Sequence, residues 1–141
     1  MNIYSGNQPT GGQITDNEHR SGAESAGGVH NAISKVVFPG NGAIKFTLSV
    51  VGDKWKLLIV NELLSGTKRF AELQRAIEGI SQKMLTQQLR ALEADHLLSR
   101  KVYAEVPLRV EYTLTKLGMT LKPLVDVVQW WGQEHRKWFK R

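Results

Sequence analysis

Two amphipathic segments in close succession constrain this chain more than any other feature. Residues 69 to 98, RFAELQRAIEGISQKMLTQQLRALEADHLL, read as a helix, a tight turn at Gly79-Ile80-Ser81, and a second helix. In the second helix Leu85, Leu89 and Leu92 fall at i, i+4 and i+7 and define one apolar stripe. Lys83, Thr86, Gln87 and Arg90 recur at i, i+3, i+4 and i+7 on the opposite side. That outer face carries no carboxylate, and its side chains suit base edges and phosphates, Arg matching guanine and Gln adenine.

The flanking sequence places this pair within a larger domain. From Ala43 the positions of Ile44, Leu48 and Val51 predict one helix, interrupted at Gly52-Asp53. Trp55, Leu58, Ile59, Leu63 and Leu64 supply the stripe of a second helix that ends at Ser65-Gly66. Phe70, Leu73 and Ile77 give the inward face of a third, which closes at Gly79, and Ser81 is a good N-cap for the fourth. After Leu98 the period changes to two. Arg100 and Val102, then Val110, Tyr112 and Leu114, predict a hairpin whose turn is Ala104 to Leu108, with Pro107 at the tip or an edge.

The last element starts at Thr115, a plausible N-cap, and continues through Leu117, Leu121, Leu124, Val125, Val128, Trp131 and Trp138. Pro123 in mid-helix would break the hydrogen-bond ladder, so a kink or two helices divided near Lys122 is expected. Cations at Arg136, Lys137, Lys140 and Arg141 suit the negative end of a helix dipole.

Charge is unevenly distributed. The chain of 141 residues has a net charge of +6, but residues 1–42 hold only Arg20 and Lys35 against Asp16, Glu18 and Glu24, so residues 43–141 carry +7. A polyanionic partner is implied, and composition alone does not separate nucleic acid from an anionic membrane. Residues 1–42 are rich in Gly, Ser, Asn, Thr and Gln, which predicts a flexible, largely disordered arm. Val36-Val37-Phe38 near its end reads either as an edge strand or docking cluster or as a few hydrophobes in a linker. Its slight negative charge speaks against contact with DNA. No apolar run approaches the roughly 20 residues that span a bilayer, and the first residues lack the basic and apolar regions of a signal peptide, so no membrane and a cytoplasmic site of action are expected.

Cysteine is absent, which removes disulfides, thiolate metal sites, Cys nucleophiles and thiol redox sensing together. His19, His30, His96 and His135 are far apart and none has a metal-ligand spacing; carboxylates are scattered singly; Gly11-Gly12 and Gly27-Gly28 lead into no helix. The reading is therefore of a protein with no enzyme activity, metal or cofactor.

The order of four helices, a hairpin and a long helix is that of a winged helix-turn-helix: mainly α with a small β-hairpin wing. Here the residues also carry a family likeness. GDKWKLLIVNELLSGTKRFAELQRAIEGISQKMLTQQLRALEAD, followed by EVPLRVEYTLTKLG, resembles the HxlR-type regulators, a MarR-like group of bacterial and archaeal transcription factors. The resemblance covers about residues 43 to 132 and is densest in LLSGTKRFAEL, ISQKMLTQQLRALE and VEYTLT. It implies a homodimer held by the N- and C-terminal helices, with Ser81 to Ala94 as recognition helix, the hairpin as wing, and double-stranded DNA as partner. Two departures stand out. The cysteine that electrophile- or oxidant-responsive members share near the start of the first helix falls at Gly42, and the Gly common after EAD is His96, which a left-handed helix end tolerates less well.

On this reading Gln82, Lys83, Thr86, Gln87 and Arg90 form the DNA-binding face, with Arg90 and Gln87 candidates for base edges, and Ser81, Lys83 and Thr86 for phosphates or flanking bases. Lys68 and Arg69, at the start of the third helix, add phosphate-reaching cations. A merely solvated helix surface is the competing account of the same face. In the hairpin, Arg100, Lys101 and Arg109 flank the tip, and Arg109 is the choice for a minor groove; the alternative is a cation paired with Glu105 or Glu111. Trp130, Trp131 and Trp138 read as packing or as the lining of a small-molecule effector pocket at the dimer interface. The functional alternative is a winged-helix protein-interaction module that does not bind DNA.

Overall fold

The computed structural model describes residues 40–139. Most of the expected arm, including Val36-Val37-Phe38, and the terminal cations Lys140 and Arg141 lie outside the described residues. The elements run α1 (Gly42–Val51), α2 (Lys56–Leu63), β1 (Lys68–Arg69), α3 (Phe70–Ala76), α4 (Gln82–Ala94), β2 (Leu98–Tyr103), β3 (Arg109–Leu114), α5 (Lys116–Met119) and α6 (Lys122–His135), with a final 3₁₀ turn at Arg136–Trp138.

One core joins these elements. Ile59, Val60 and Leu63 of α2 meet Leu73 and Ile77 from α3 and its end, the α4 leucines 85, 89 and 92, Leu98, Tyr112 and Leu114 of the sheet, and Val125 of α6. Each fully buried aliphatic side chain contributes about 1.5 to 3 kcal/mol relative to exposure, so the leucine stripe fixes which side of α4 turns outward. The expected pattern in α2 is corrected at one position. Leu58 is 45% exposed and Val60 takes its place inside. Within the unbroken run Leu57-Leu58-Ile59-Val60 the sequence offers no polar residue to set the phase of the helix.

The long C-terminal segment is two helices. Thr115 accepts the Gly118 N–H at 3.1 Å and caps α5, and α6 begins at Lys122 with Pro123 in its first turn. There the missing proline N–H has no intrahelical acceptor to lose, so the division near Lys122 relieves the conflict.

The sheet has three strands in the order β1-β3-β2, all antiparallel. The β2-β3 hairpin is as expected, but Lys68 and Arg69 form β1 ahead of α3, opposite Tyr112 and Glu111 of β3. The hydroxyls of Thr67 and Thr113 lie 2.7 Å apart and extend this attachment. The wing is thereby tied to the start of the helix-turn-helix through its central strand.

Candidate nucleic-acid interface

Local chemistry delimits α4 at both ends. The Ser81 hydroxyl accepts the Met84 N–H at 3.0 Å, satisfying one of the donors a helix start leaves free. At the other end the Leu97 N–H reaches the Leu92 carbonyl and the His96 N–H the Glu93 carbonyl, each at 3.0 Å, which is the Schellman pattern. His96 occupies the left-handed position with φ of +58°, the one non-glycine residue with positive φ among those described. The Thr115 hydroxyl donates to the His96 carbonyl at 2.6 Å, holding this strained corner against the start of α5.

Between these caps the helix presents the anticipated face. Lys83, Gln87 and Arg90 are exposed, Thr86 is half-buried with its hydroxyl donating to the Gln82 carbonyl at 2.8 Å, and Ser81, Gln82, Lys83, Thr86, Gln87 and Arg90 line one shallow groove. All six candidates on this helix are thus brought together. Gln88, which points the other way, is buried; its amide nitrogen donates to Met84 Sδ at 3.4 Å and its Oε1 has no partner among the described residues.

The strand register divides the remaining candidates. Lys68 and Arg100 both lie opposite Tyr112 on the sheet face turned toward α4, whereas Arg69 and Lys101 lie opposite Glu111 on the other face. Arg109 shares that second face. Its guanidinium sits 3.8 Å from the Tyr103 ring centroid, 3.2 Å from a Glu105 oxygen and 3.7 Å from a Glu111 oxygen, while Lys101 Nζ lies 4.8 Å from the same ring. The Tyr103 hydroxyl donates to Glu111 at 3.2 Å. Arg109 is therefore held by two carboxylates and an aromatic face, and Arg100 and Lys101 are the wing cations without an ion pair among the described residues.

Sequence reasoning missed the cleft between α4 and the sheet, because it forms only when the two elements pack. This space of about 320 Å³ is bounded by Gln82, Thr86, Arg90 and Glu93 from the helix and by Arg100 and Tyr112 from the sheet. Burial pushes the Tyr112 phenol above its ordinary value; Arg100 and Arg90 pull it down, and Glu93 adds to the rise. The alternation of Arg100, Val102, Val110 and Tyr112 was the available signal, since it puts Arg100 and Tyr112 on one face once the register is known.

A polar groove without a carboxylate on the second helix of a tight helical pair, beside a three-stranded wing, defines a winged helix-turn-helix of the transcription-regulator class. The HxlR-like helix-turn-helix family model matches residues 50–139, and the chain belongs to that family. It is 47% identical over 93 residues to the HTH-type transcriptional regulator YybR of Bacillus subtilis strain 168, covering 66% of this chain and 74% of that protein. To YtcD of the same organism it is 47% identical over 95 residues, covering 67% and 75%. Among solved structures, the redox regulator HypR in its reduced form superposes with a TM-score of 0.64 at 46% identity, over 67% of this chain and 94% of HypR. A MarR-family protein of Porphyromonas gingivalis W83 gives 0.65 at 37% identity, over 70% and 97%. Both Bacillus subtilis relatives carry the name of HTH-type transcriptional regulators. Among the described residues no helix is long and apolar enough to cross a membrane.

Proposed function

We propose that the protein is a sequence-specific, double-stranded-DNA-binding regulator that acts in the cytoplasm, on the nucleoid, as a homodimer on a pseudo-palindromic operator. The observation that carries this reading is the orientation of α4: its three leucines are buried while Lys83, Gln87 and Arg90 stand free along the opposite side. Gln87 and Arg90 read base edges; Ser81, Gln82, Lys83, Thr86, Lys68 and Arg69 position the helix on phosphates. Arg100 and Lys101 extend the contact along the wing. Arg109 stiffens that wing, because its charge is already balanced.

The homodimer is supported by apolar surface left exposed among the described residues. Ile44, Phe46 and Leu48 of α1 are 60% to 71% exposed, and Val128 and Trp131 of α6 are also exposed. Joined across a two-fold axis, these helices would remove that surface from water and set two copies of α4 into successive major grooves. HypR is a redox regulator solved in reduced and oxidised forms. With no cysteine in the 141 residues, thiol chemistry gives this chain no such switch, and a small molecule at the dimer interface is the candidate signal.

Footprinting on a duplex selected from a random-sequence pool by the protein itself tests this reading. Two protected half-sites roughly 10 base pairs apart, centre to centre, are expected. A single asymmetric half-site, or duplex binding without a steep dependence on salt, overturns it.

A further inference from the structure

The cleft between α4 and the sheet holds side chains that a packed interior does not require. Tyr112 is 8% exposed, yet its hydroxyl has no hydrogen-bond partner among the described residues and opens beside Arg100. Arg100 has no carboxylate partner among the described residues either, although Glu105 and Glu111 are close enough to hold Arg109 on the opposite face of the same hairpin. Gln82 supplies a further amide from the first turn of α4. A phenol, an amide and the guanidiniums of Arg100 and Arg90 outnumber the one carboxylate of the lining, Glu93, and make a site for an anion with several oxygens.

Duplex geometry says which anion arrives there. Major and minor grooves are separated by a sugar-phosphate strand, so a protein that sets one helix in the first and a wing toward the second must receive that strand between them. The cleft lies between α4 and the wing strands. We infer that Tyr112 and Arg100, with Gln82, clamp a backbone phosphate of the strand that separates the two grooves, Tyr112 donating its hydroxyl proton and Arg100 its N–H groups to the phosphate oxygens. Tyr112 is a positioning residue on this account: it sets the depth and register of α4 and carries no base preference. Arg90 borders both this cleft and the outer groove and is left to the bases.

This inference rests on the DNA-binding reading, and the test separates the two. Tyr112→Phe keeps the buried ring and removes only the donor; Arg100→Gln alters an exposed side chain. Binding of the full-length protein to its selected duplex and to mixed-sequence duplex is measured by fluorescence anisotropy between about 50 and 200 mM salt. Tyr112→Phe is expected to weaken both duplexes alike, by about fivefold, with an unchanged salt slope. Arg100→Gln is expected to lower the slope by about 0.9.

Wild-type affinity in both variants overturns the clamp while leaving the regulator reading intact. A loss confined to the selected duplex overturns it as well, because it would mark base readout. Failure of the wild-type protein to bind either duplex removes both readings. Inorganic phosphate supplies the remaining arm: competition beyond chloride at matched ionic strength, abolished by Tyr112→Phe, would assign the cleft to a free anion and overturn the backbone contact.

Discussion

Gly118 lies with its Cα against the backbone carbonyl of Leu97, so that a β-carbon at position 118 would overlap the Leu97 oxygen and come within 3.1 Å of Leu114 Cδ2. The same carbonyl accepts the Thr115 N–H at 3.1 Å, which leaves it little freedom to withdraw. The contact joins the end of the helix-turn-helix to the first turn after the wing. Gly118→Ala should lower unfolding free energy by about 1 to 3 kcal/mol, read as a reduced midpoint in urea. An unchanged midpoint would show that the corner yields freely.

His96 suggests a change in the opposite direction. A side chain in the left-handed region costs roughly 1 to 2 kcal/mol, and glycine gives back part of that gain through its greater freedom when unfolded. His96→Gly should therefore raise stability by about 0.5 to 1 kcal/mol and move the thermal midpoint upward. A fall in the midpoint would mean that the imidazole makes a compensating contact.

Asp53 links the start of α2 to acidity. Its Oδ1 accepts the N–H groups of Trp55 at 2.9 Å and Lys56 at 3.0 Å, and the Lys56 ammonium lies 3.4 Å from its other oxygen. Partial burial opposes the charge, but these donors and the ammonium outweigh it and hold the carboxyl below its ordinary value. A carboxyl lowered on folding stabilises fully above its unfolded pKa of about 3.9, and that contribution is lost as pH falls through the lower folded value. Asp53→Ala should cost about 1 kcal/mol at neutral pH, a gap that closes as pH falls below about 3.9 in parallel denaturant titrations. A gap constant across that range contradicts the assignment.

Arg90→Ala distinguishes base contact from backbone contact. If Arg90 is bidentate to guanine, the selected duplex should lose about 1 to 3 kcal/mol of binding energy and preference should relax at one base pair. Equal losses on selected and scrambled DNA would make Arg90 a second phosphate ligand.

The orientation of α4 was legible because its signal is periodic: Leu85, Leu89 and Leu92 set the buried side, and the exposed side follows. The caps at Ser81 and Thr115 and the division before Pro123 were legible for the same local reason, that each concerns hydrogen bonds within one turn. The strand at Lys68-Arg69 was not, since two residues show no alternation and pair only because β3 is there to receive them. The hairpin sequence offered the pairing of Arg109 with Glu105 or Glu111 only as the alternative to a minor-groove contact, because the register that brings both carboxylates to it is not local. Leu58 was misplaced because an uninterrupted aliphatic run has no phase.

The attachment of Lys68 and Arg69 to the central strand has a mechanical consequence. With one strand pinned to the base of the reading head and the other to the hairpin, the distance between the two points of grip is set before any duplex arrives. On the proposed reading, a gauge of fixed width would not follow local variation in groove spacing, and the duplex would bend or twist to meet it. Easily deformed base-pair steps between the contacted positions would then be part of what the protein selects.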